Sequence, residues 1–272
     1  MKQQLGWVVA AVVVAGLSVS GCKSAPQPAG GAGSATSPTS AASGSASGSA
    51  AALDPATLGS VTGVVHVTGK APAPVLIDTS MDPACGMGGG GPIYSEQYAV
   101  KNGNLGEVYI YVKSGPAAAM NYNPMPGAAV VMDQQGCRYT PHVVAVQRGG
   151  SVEFRNSDVT MHNIHTMPTA VGSVPIDISQ GPKGQPQKEQ FNHVEQMIPV
   201  RCNNHPWMNA FVNVSATPFF AVTGADGHFE INGLPAGDYT LGAVQEKLGE
   251  QTIQVTVKPQ AATKAEFTYA IK

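Results

Sequence analysis

The sequence predicts an all-β protein built from β-sandwiches. Short apolar or alternating segments recur along the chain, separated by turns rich in glycine and proline, of which there are 32 and 21 among 272 residues. No segment keeps a helical period of apolar residues for long enough to predict a helix. Short strands joined by such turns are typical of β-sandwiches. The net charge is −2, and the absence of a basic stripe argues against nucleic-acid binding.

The predicted strands share β-branched or aromatic residues at alternate positions and end at turn residues. In one of them Val152 and Phe154 lie on one face, and the strand ends at the turn formed by Asn156, Ser157 and Asp158. In chain order the segments are residues 60–67, 107–112, 128–132, 142–147, 151–155, 196–201, 211–214, 219–223, 228–231, 233–240, 252–257 and 265–270.

The N-terminal residues have the pattern of an export signal. Lys2 is followed by an apolar run over residues 7–17 and then by small residues ending at Cys22. Residues 19–22 resemble the lipobox of bacterial lipoproteins; the alternative is an ordinary signal peptide with a chance cysteine. The resemblance implies a signal peptide of residues 1–21, a lipid on Cys22 and anchoring to the cell envelope. Because Lys23 follows, the outer membrane is favoured. Residues 22–52 are rich in Ala, Gly and Ser and predict a flexible tether.

A cluster of metal-ligand residue types stands out near residue 205. Cys202, His205 and Met208 lie within seven residues, and His162 supplies a second imidazole upstream. Two imidazoles, one thiolate and a weak thioether form the donor set of a mononuclear type 1 (blue) copper site. Soft sulfur suits copper(I) and imidazole suits copper(II), so this set serves both oxidation states.

Other interpretations of these residues stay open at this point. His165 could replace His162 as the ligand, act behind it or belong to a binuclear centre. Zinc could use the two histidines and Cys202, although a methionine is a poor fourth ligand for zinc. Met208 could be a core residue. Six further methionines, at positions 81, 87, 120, 125, 161 and 167, are interpreted as fillers of the β core rather than a copper route.

Cysteine parity predicts one disulfide. With Cys22 used by the lipid, Cys85, Cys137 and Cys202 remain, and in an oxidising compartment two of them are expected to pair. Since Cys202 has metal-ligand residues beside it, we expect the disulfide between Cys85 and Cys137. A disulfide from Cys202 to either of the others is the alternative.

Residues 128–215 resemble the cupredoxin (blue-copper) family, most specifically in segments 156–163 and 202–208, the second of which is similar to the amicyanin ligand loop. The resemblance implies a cupredoxin-like Greek-key β-sandwich. It also implies that His162, Cys202, His205 and Met208 bind copper and that the backbone of Asn163 bonds the cysteine sulfur. Pro206 and Trp207 are expected in an apolar patch through which the ring of His205 gives an electron exit. Residues 135–142 resemble exported bacterial plastocyanin-like proteins.

The C-terminal residues resemble a different module. Segments 226–229 and 233–239 are similar to the transthyretin-like, regulatory-like β-sandwich found beside carboxypeptidases. We therefore divide the chain into a copper domain at residues 136–215 and a smaller β-sandwich at 216–272. Residues 53–135 belong to one or the other. Because residues 60–69 resemble the first strand of the regulatory-like module, the copper domain could be inserted within it.

These observations favour an electron carrier with one type 1 copper ion and no enzymatic activity. Its expected partners are redox proteins of the envelope. Storage, scavenging or delivery of copper is the alternative, and a surface protein stabilised by copper is the third.

Overall fold

The computed structural model describes residues 52–87 and 91–272, and strands dominate them, which confirms the all-β prediction. The predicted signal peptide, Cys22 and all but the last residue of the tether lie outside the described residues. The helices are short: a 3-10 turn at Pro55–Thr57, α1 at Pro83–Met87 and α2 at Ala117–Met120. The strands are β1 Leu58–Thr68, β2 Val100–Lys101, β3 Asn104–Leu105, β4 Tyr109–Ser114, β5 Val130–Gln134, β6 Tyr139–Thr140, β7 Val143–Gln147, β8 Gly150–Asn156, β9 His162–Thr166, β10 Asp177–Gln180, β11 Gln187–Phe191, β12 Glu195–Arg201, β13 Asn209–Ser215, β14 Phe220–Val222, β15 His228–Pro235, β16 Gly237–Gln245, β17 Gly249–Val257 and β18 Ala262–Ala270.

The first sandwich is assembled from the two ends of the described chain. Strand β1 pairs antiparallel with β15 and parallel with β18, and β3 and β2 extend this sheet. The facing sheet has the order β14-β4-β16-β17. Inward residues alternate along each strand, as period-2 patterning requires. They form one buried core that includes Val61, Val65, Ile110, Leu241 and Phe267.

The second sandwich contains the candidate site. One sheet has the order β10-β9-β12-β13-β7 and the other β11-β8-β5-β6. The pairs β7–β13 and β5–β8 are parallel, and the others are antiparallel. Between the sheets lies a core that includes Met132, Val152, Phe154, Ile164 and Val212.

The second sandwich is inserted in sequence within the first, because β5 to β13 lie between β4 and β14. The predicted domain start at residue 136 is later than the structural one, since β5 at Val130–Gln134 already pairs with β8. Residues 53–135 are shared between the sandwiches: β1 to β4 join the first, whereas Ile77, Cys85 and Ile93 pack into the core of the second. The two sandwiches meet at a small buried cluster that includes Tyr109 and Val244.

In the part of the chain that the structure describes, no helix has both the length and the hydrophobicity that crossing a bilayer requires.

Candidate metal centre

The candidate ligands come from two neighbouring elements of the second sandwich. His162 is the first residue of β9, and Cys202, His205 and Met208 lie in the loop between β12 and β13. The pairing of Arg201 with Asn209 closes that loop at its base. Inside it, the N–H of Met208 donates to the carbonyl of His205 at 2.9 Å, so the loop makes a tight turn. Because β9 pairs with β12, the two ligand segments lie side by side.

Three donor atoms converge between these segments. The Nδ1 atoms of His162 and His205 are 2.9 Å apart, and the Sγ of Cys202 is 3.5 Å from Nδ1 of His205. The three atoms all lie within 4.8 Å of one another. The residues are buried, with exposed fractions of 0%, 2% and 4% for His162, His205 and Cys202. Among residues 52–87 and 91–272, Cys202 is the one cysteine outside a disulfide. Two imidazole nitrogens and a free thiol pointing at one another suit a metal ion.

The sulfur of Cys202 is tied to β9. The backbone N–H of Asn163 donates to Cys202 Sγ at 3.3 Å, which is the hydrogen bond that the family resemblance implies. The hydroxyl of the buried Tyr139 donates to the carbonyl of Asn163. The first bond joins the ligand loop to β9, and the second holds the same residue of β9 against β6.

Each histidine has a carboxylate on the nitrogen that faces away from the cluster. Asp158 Oδ2 lies 2.9 Å from Nε2 of His162, and its carboxylate also accepts the backbone N–H groups of Gly136 and Cys137 at 2.7 and 2.8 Å. Asp82 Oδ2 lies 3.0 Å from Nε2 of His205. A carboxylate at this position orients a metal-binding histidine and increases its basicity. Sequence reasoning missed both aspartates. Only the contact of Asp158 could have been suggested by the sequence, because Asp158 lies four residues before His162.

A disulfide between Cys85 and Cys137 lies beside His205, with an S–S distance of 2.06 Å. The indole N–H of Trp207 donates to the carbonyl of Cys137 at 3.2 Å, and its ring lies 5.1 Å from that of His205. The sulfurs of Cys85 and Cys137 come close enough to His205 to form a second candidate cluster, and Cys137 joins a third with Asp158 and His162. Because those sulfurs are bonded to each other, only the group with Cys202 consists of free donors.

The remaining predicted residues have mixed outcomes. Met208 is buried in the same core as Cys202, next to the cluster in sequence. His165 is half-buried, and its Nδ1 lies 3.1 Å from the amide oxygen of Asn203, outside the donor cluster. Pro206 is exposed and Trp207 is half-buried.

Asp82 covers the edge of His205 at which the electron exit was predicted. The outer edge of the ring does not reach solvent, because Asp82 lies against Nε2 and only 2% of His205 is exposed. The segment that carries Asp82 is distant in sequence and covers the edge that Pro206 and Trp207 were expected to surround.

No protein-family model matches the sequence, and no curated protein matches it either. Among solved structures, the chain is similar to two amicyanin variants, one a reduced Cu(I) form at pH 4 and one oxidised. Their identities are 21% and 20%, each match covers 40% of this chain and 98% of the amicyanin, and both TM-scores are 0.29. It is also similar to a Cu-containing nitrite reductase from Thermus scotoductus SA-01, at 22% identity and a TM-score of 0.30. That match covers 34% of this chain and 23% of the reductase.

The metal-free cluster holds opposite charges. Burial alone raises the pKa of the Cys202 thiol, but hydrogen bonds from His162 and from the N–H groups of Asn163 and Asn204 outweigh it and lower the pKa to about 6. Burial alone lowers the pKa of His162, but the hydrogen bond to Asp158 and the Cys202 thiolate raise it to about 9. Between these values a thiolate faces an imidazolium.

Acidifying the metal-free protein should therefore protonate Cys202 with a midpoint near pH 6, whereas an ordinary thiol loses its thiolate near pH 8.5. Because the pKa of Cys202 is lowered in the folded protein, the thiolate persists at neutral pH and is lost only as the pH falls through that pKa. Ultraviolet thiolate absorbance measures this, with Cys202→Ser as the blank. A midpoint at or above the ordinary value contradicts the arrangement.

Replacing Asp158 with asparagine should weaken metal binding by about 10- to 100-fold, the usual cost of losing a carboxylate behind a histidine ligand. The amide cannot reproduce the charge, and because Gly136 and Cys137 donate to different oxygens of Asp158, the NH2 group must face one of these two N–H donors. Competition titration with copper(II) as the probe measures the affinity. Asp133→Asn is the matched control, since its carboxylate accepts the hydroxyl of Ser157 and contacts no donor residue. Equal affinities for both variants would show that Asp158 does not support the site.

Proposed function

We propose that this protein is a mononuclear type 1 copper protein that carries single electrons in the bacterial cell envelope. The convergence of two Nδ1 atoms and one thiol sulfur, each nearly fully buried, carries this proposal. The fourth donor in the proposal is the thioether of Met208, buried in the same core.

The donor set favours copper over zinc. Two imidazoles, one thiolate and a weak axial thioether are typical of type 1 copper, whereas structural zinc takes four stronger N, S or O donors. Asp158 and Asp82 are the nearby carboxylates, and both are hydrogen-bonded to the outer Nε2 atoms of the histidines. They therefore support the imidazoles rather than offer a fourth strong donor.

Burial of the donors favours electron transfer over catalysis. When bound, copper supplies a one-electron redox couple. The chain's own contribution is to hold His162, Cys202 and His205 in place and to exclude water from them. With so little of any donor exposed, a substrate has no approach to the ion, whereas an electron can cross the thin protein layer. The proposed role is thus that of a carrier and not of an enzyme.

The proposed location is the cell envelope, with a lipid on Cys22 and the tether at residues 22–52 holding the folded part near the membrane. The proposed partners are redox proteins. Exposed apolar side chains flank the residues that cover the site: Met81 precedes Asp82, while Val159 and Met161 surround Thr160, whose hydroxyl bonds Asp82. This apolar rim is where we propose that a partner meets the protein.

Copper delivery is a second candidate, favoured by the exposure of two thioethers beside the site. Met81 is 74% exposed and Met161 49% exposed, so these two do not fill the core as the sequence interpretation expected; Met125 and Met167 are exposed as well. Thioethers bind copper(I). Exposed ones next to His162 and Asp82 suit a protein that passes copper(I) to an acceptor.

Voltammetry of the copper-loaded protein distinguishes the two candidates. A carrier gives a reversible one-electron wave over repeated cycles and keeps its copper in the presence of a copper(I) chelator. A delivery protein surrenders copper(I) to the chelator on reduction, and its wave decays. Loss of the metal in the first reductive cycle would contradict the carrier proposal.

A further inference from the structure

The outer edge of His205 is covered by a segment distant in sequence. Residues 78–87, here called the capping segment, place Asp82 Oδ2 3.0 Å from Nε2 of His205. The ring is 2% exposed. Nothing in the sequence near residue 205 requires this contact, because Asp82 precedes the histidine by 123 positions.

The capping segment is fixed at several points. Asp82 Oδ2 accepts the hydroxyl of Thr160 at 2.7 Å, and its other oxygen accepts the N–H of Ala84 at 2.9 Å. Cys85, three residues later, is bonded to Cys137. Because the segment is held both at the aspartate and at the disulfide, the carboxylate has little freedom to leave the ring.

The contact determines which nitrogen of His205 carries the proton. A carboxylate accepts hydrogen bonds, so the ring donates from Nε2, and Nδ1 then presents its lone pair to His162 and Cys202. Asp158 holds Nε2 of His162 in the same way, so Nδ1 of that ring also faces the centre. Each histidine is thus oriented by a carboxylate from a different part of the chain.

We propose that Asp82 is a positioning residue for the copper centre, holding the His205 ring with Nδ1 toward the ion and lowering the reduction potential through its charge. This inference rests on the proposed function. A carboxylate behind an imidazole makes the nitrogen a stronger donor, and added negative charge near the ion stabilises copper(II) more than copper(I). The same residue keeps water away from the edge of the ring.

The test compares four single variants of the full chain. Asp82→Asn keeps an oxygen acceptor and removes the charge, whereas Asp82→Ala removes both. Asp78→Asn is the charge control, since Asp78 lies in the same segment and hydrogen-bonds Ser80. Thr160→Val is the anchoring control, because it removes one bond to the segment and leaves the Asp82–His205 contact in place.

Both Asp82 variants should have a higher reduction potential than the wild type, and Asp82→Ala should also bind copper about 10- to 100-fold more weakly. The potentials of Asp78→Asn and Thr160→Val should stay near the wild-type value. A thermal melt of each metal-free variant verifies the fold. The proposal is overturned if the Asp82 variants match Asp78→Asn, or if Thr160→Val shifts the potential as far as Asp82→Asn does.

A copper-free measurement separates this inference from the proposed function. Nitrogen NMR of the metal-free protein reports the tautomer of His205. Protonation at Nε2 in the wild type, lost or averaged in Asp82→Ala, supports the positioning role even if no blue copper centre forms. The same tautomer in both proteins overturns it, whatever the copper spectra show.

Discussion

Replacing Cys202 with serine should lower copper affinity by more than about 100-fold, beyond the cost of changing a residue behind a ligand. The thiolate is the soft donor of the set, and a serine hydroxyl does not ionise at neutral pH. Serine is close in size but removes the thiolate that faces the His162 imidazolium, so circular dichroism of the metal-free variant verifies that it still folds. Competition titration against a copper chelator measures the affinity.

The control for Cys202 is His165→Ala. His165 belongs to the same sheet but hydrogen-bonds Asn203 outside the donor cluster. Its removal should leave affinity within a few-fold of the wild type. Equal affinity of Cys202→Ser and the wild type would exclude the thiolate as a ligand.

Removing the disulfide with Cys85→Ser and Cys137→Ser together should destabilise the metal-free protein by about 4 kcal/mol. The bond closes a loop between residues 52 positions apart, and the conformational entropy released to the unfolded chain by a loop of this length has roughly that magnitude. Chemical denaturation monitored by circular dichroism measures the change.

The same double variant should also exchange copper faster, because the capping segment loses one of its fixed points.

The stability of the double variant has to be measured without copper, since a bound ion adds its own contribution to the stability of the folded state. A loss below about 1 kcal/mol would contradict the assignment of the disulfide as a main constraint on this end of the sandwich.

The local patterns predicted most of the strands, but not β9, β10 and β11, the first of which begins at His162. Alternation at Val152 and Phe154 identified β8, and the spacing of Cys202 and His205 placed two donors on one loop. Both inferences depend on neighbours within a few residues. Short-range spacing is enough to bring such side chains together, so the sequence carries the information directly.

The sequence did not indicate which strands distant along the chain pair with each other. Strand β1 is parallel to β18 some 200 residues later, with Val61 opposite Thr263, and a β-branched run alone does not name its partner. The insertion of the second sandwich within the first was therefore only a hypothesis from resemblance. For the same reason the domain start was placed at residue 136, although β5 pairs with β8 from Val130 onward.

The carboxylates behind the two histidines likewise differ in how far the sequence could have predicted them. Asp158 lies only four residues from His162, so its contact could have been suggested by spacing. Asp82 left no such signal, because its contact with His205 depends on a disulfide and on the packing of a distant segment. The family resemblance describes the ligand loop, so the electron exit predicted at His205 took no account of the segment that covers the ring.

The visible absorption spectrum of the purified protein after one equivalent of copper(II) tests the central claim most directly. If His162, Cys202 and His205 hold the ion, an intense blue band from thiolate-to-copper charge transfer appears and saturates at one equivalent. A pale spectrum typical of copper bound by nitrogen and oxygen alone would contradict the proposed centre.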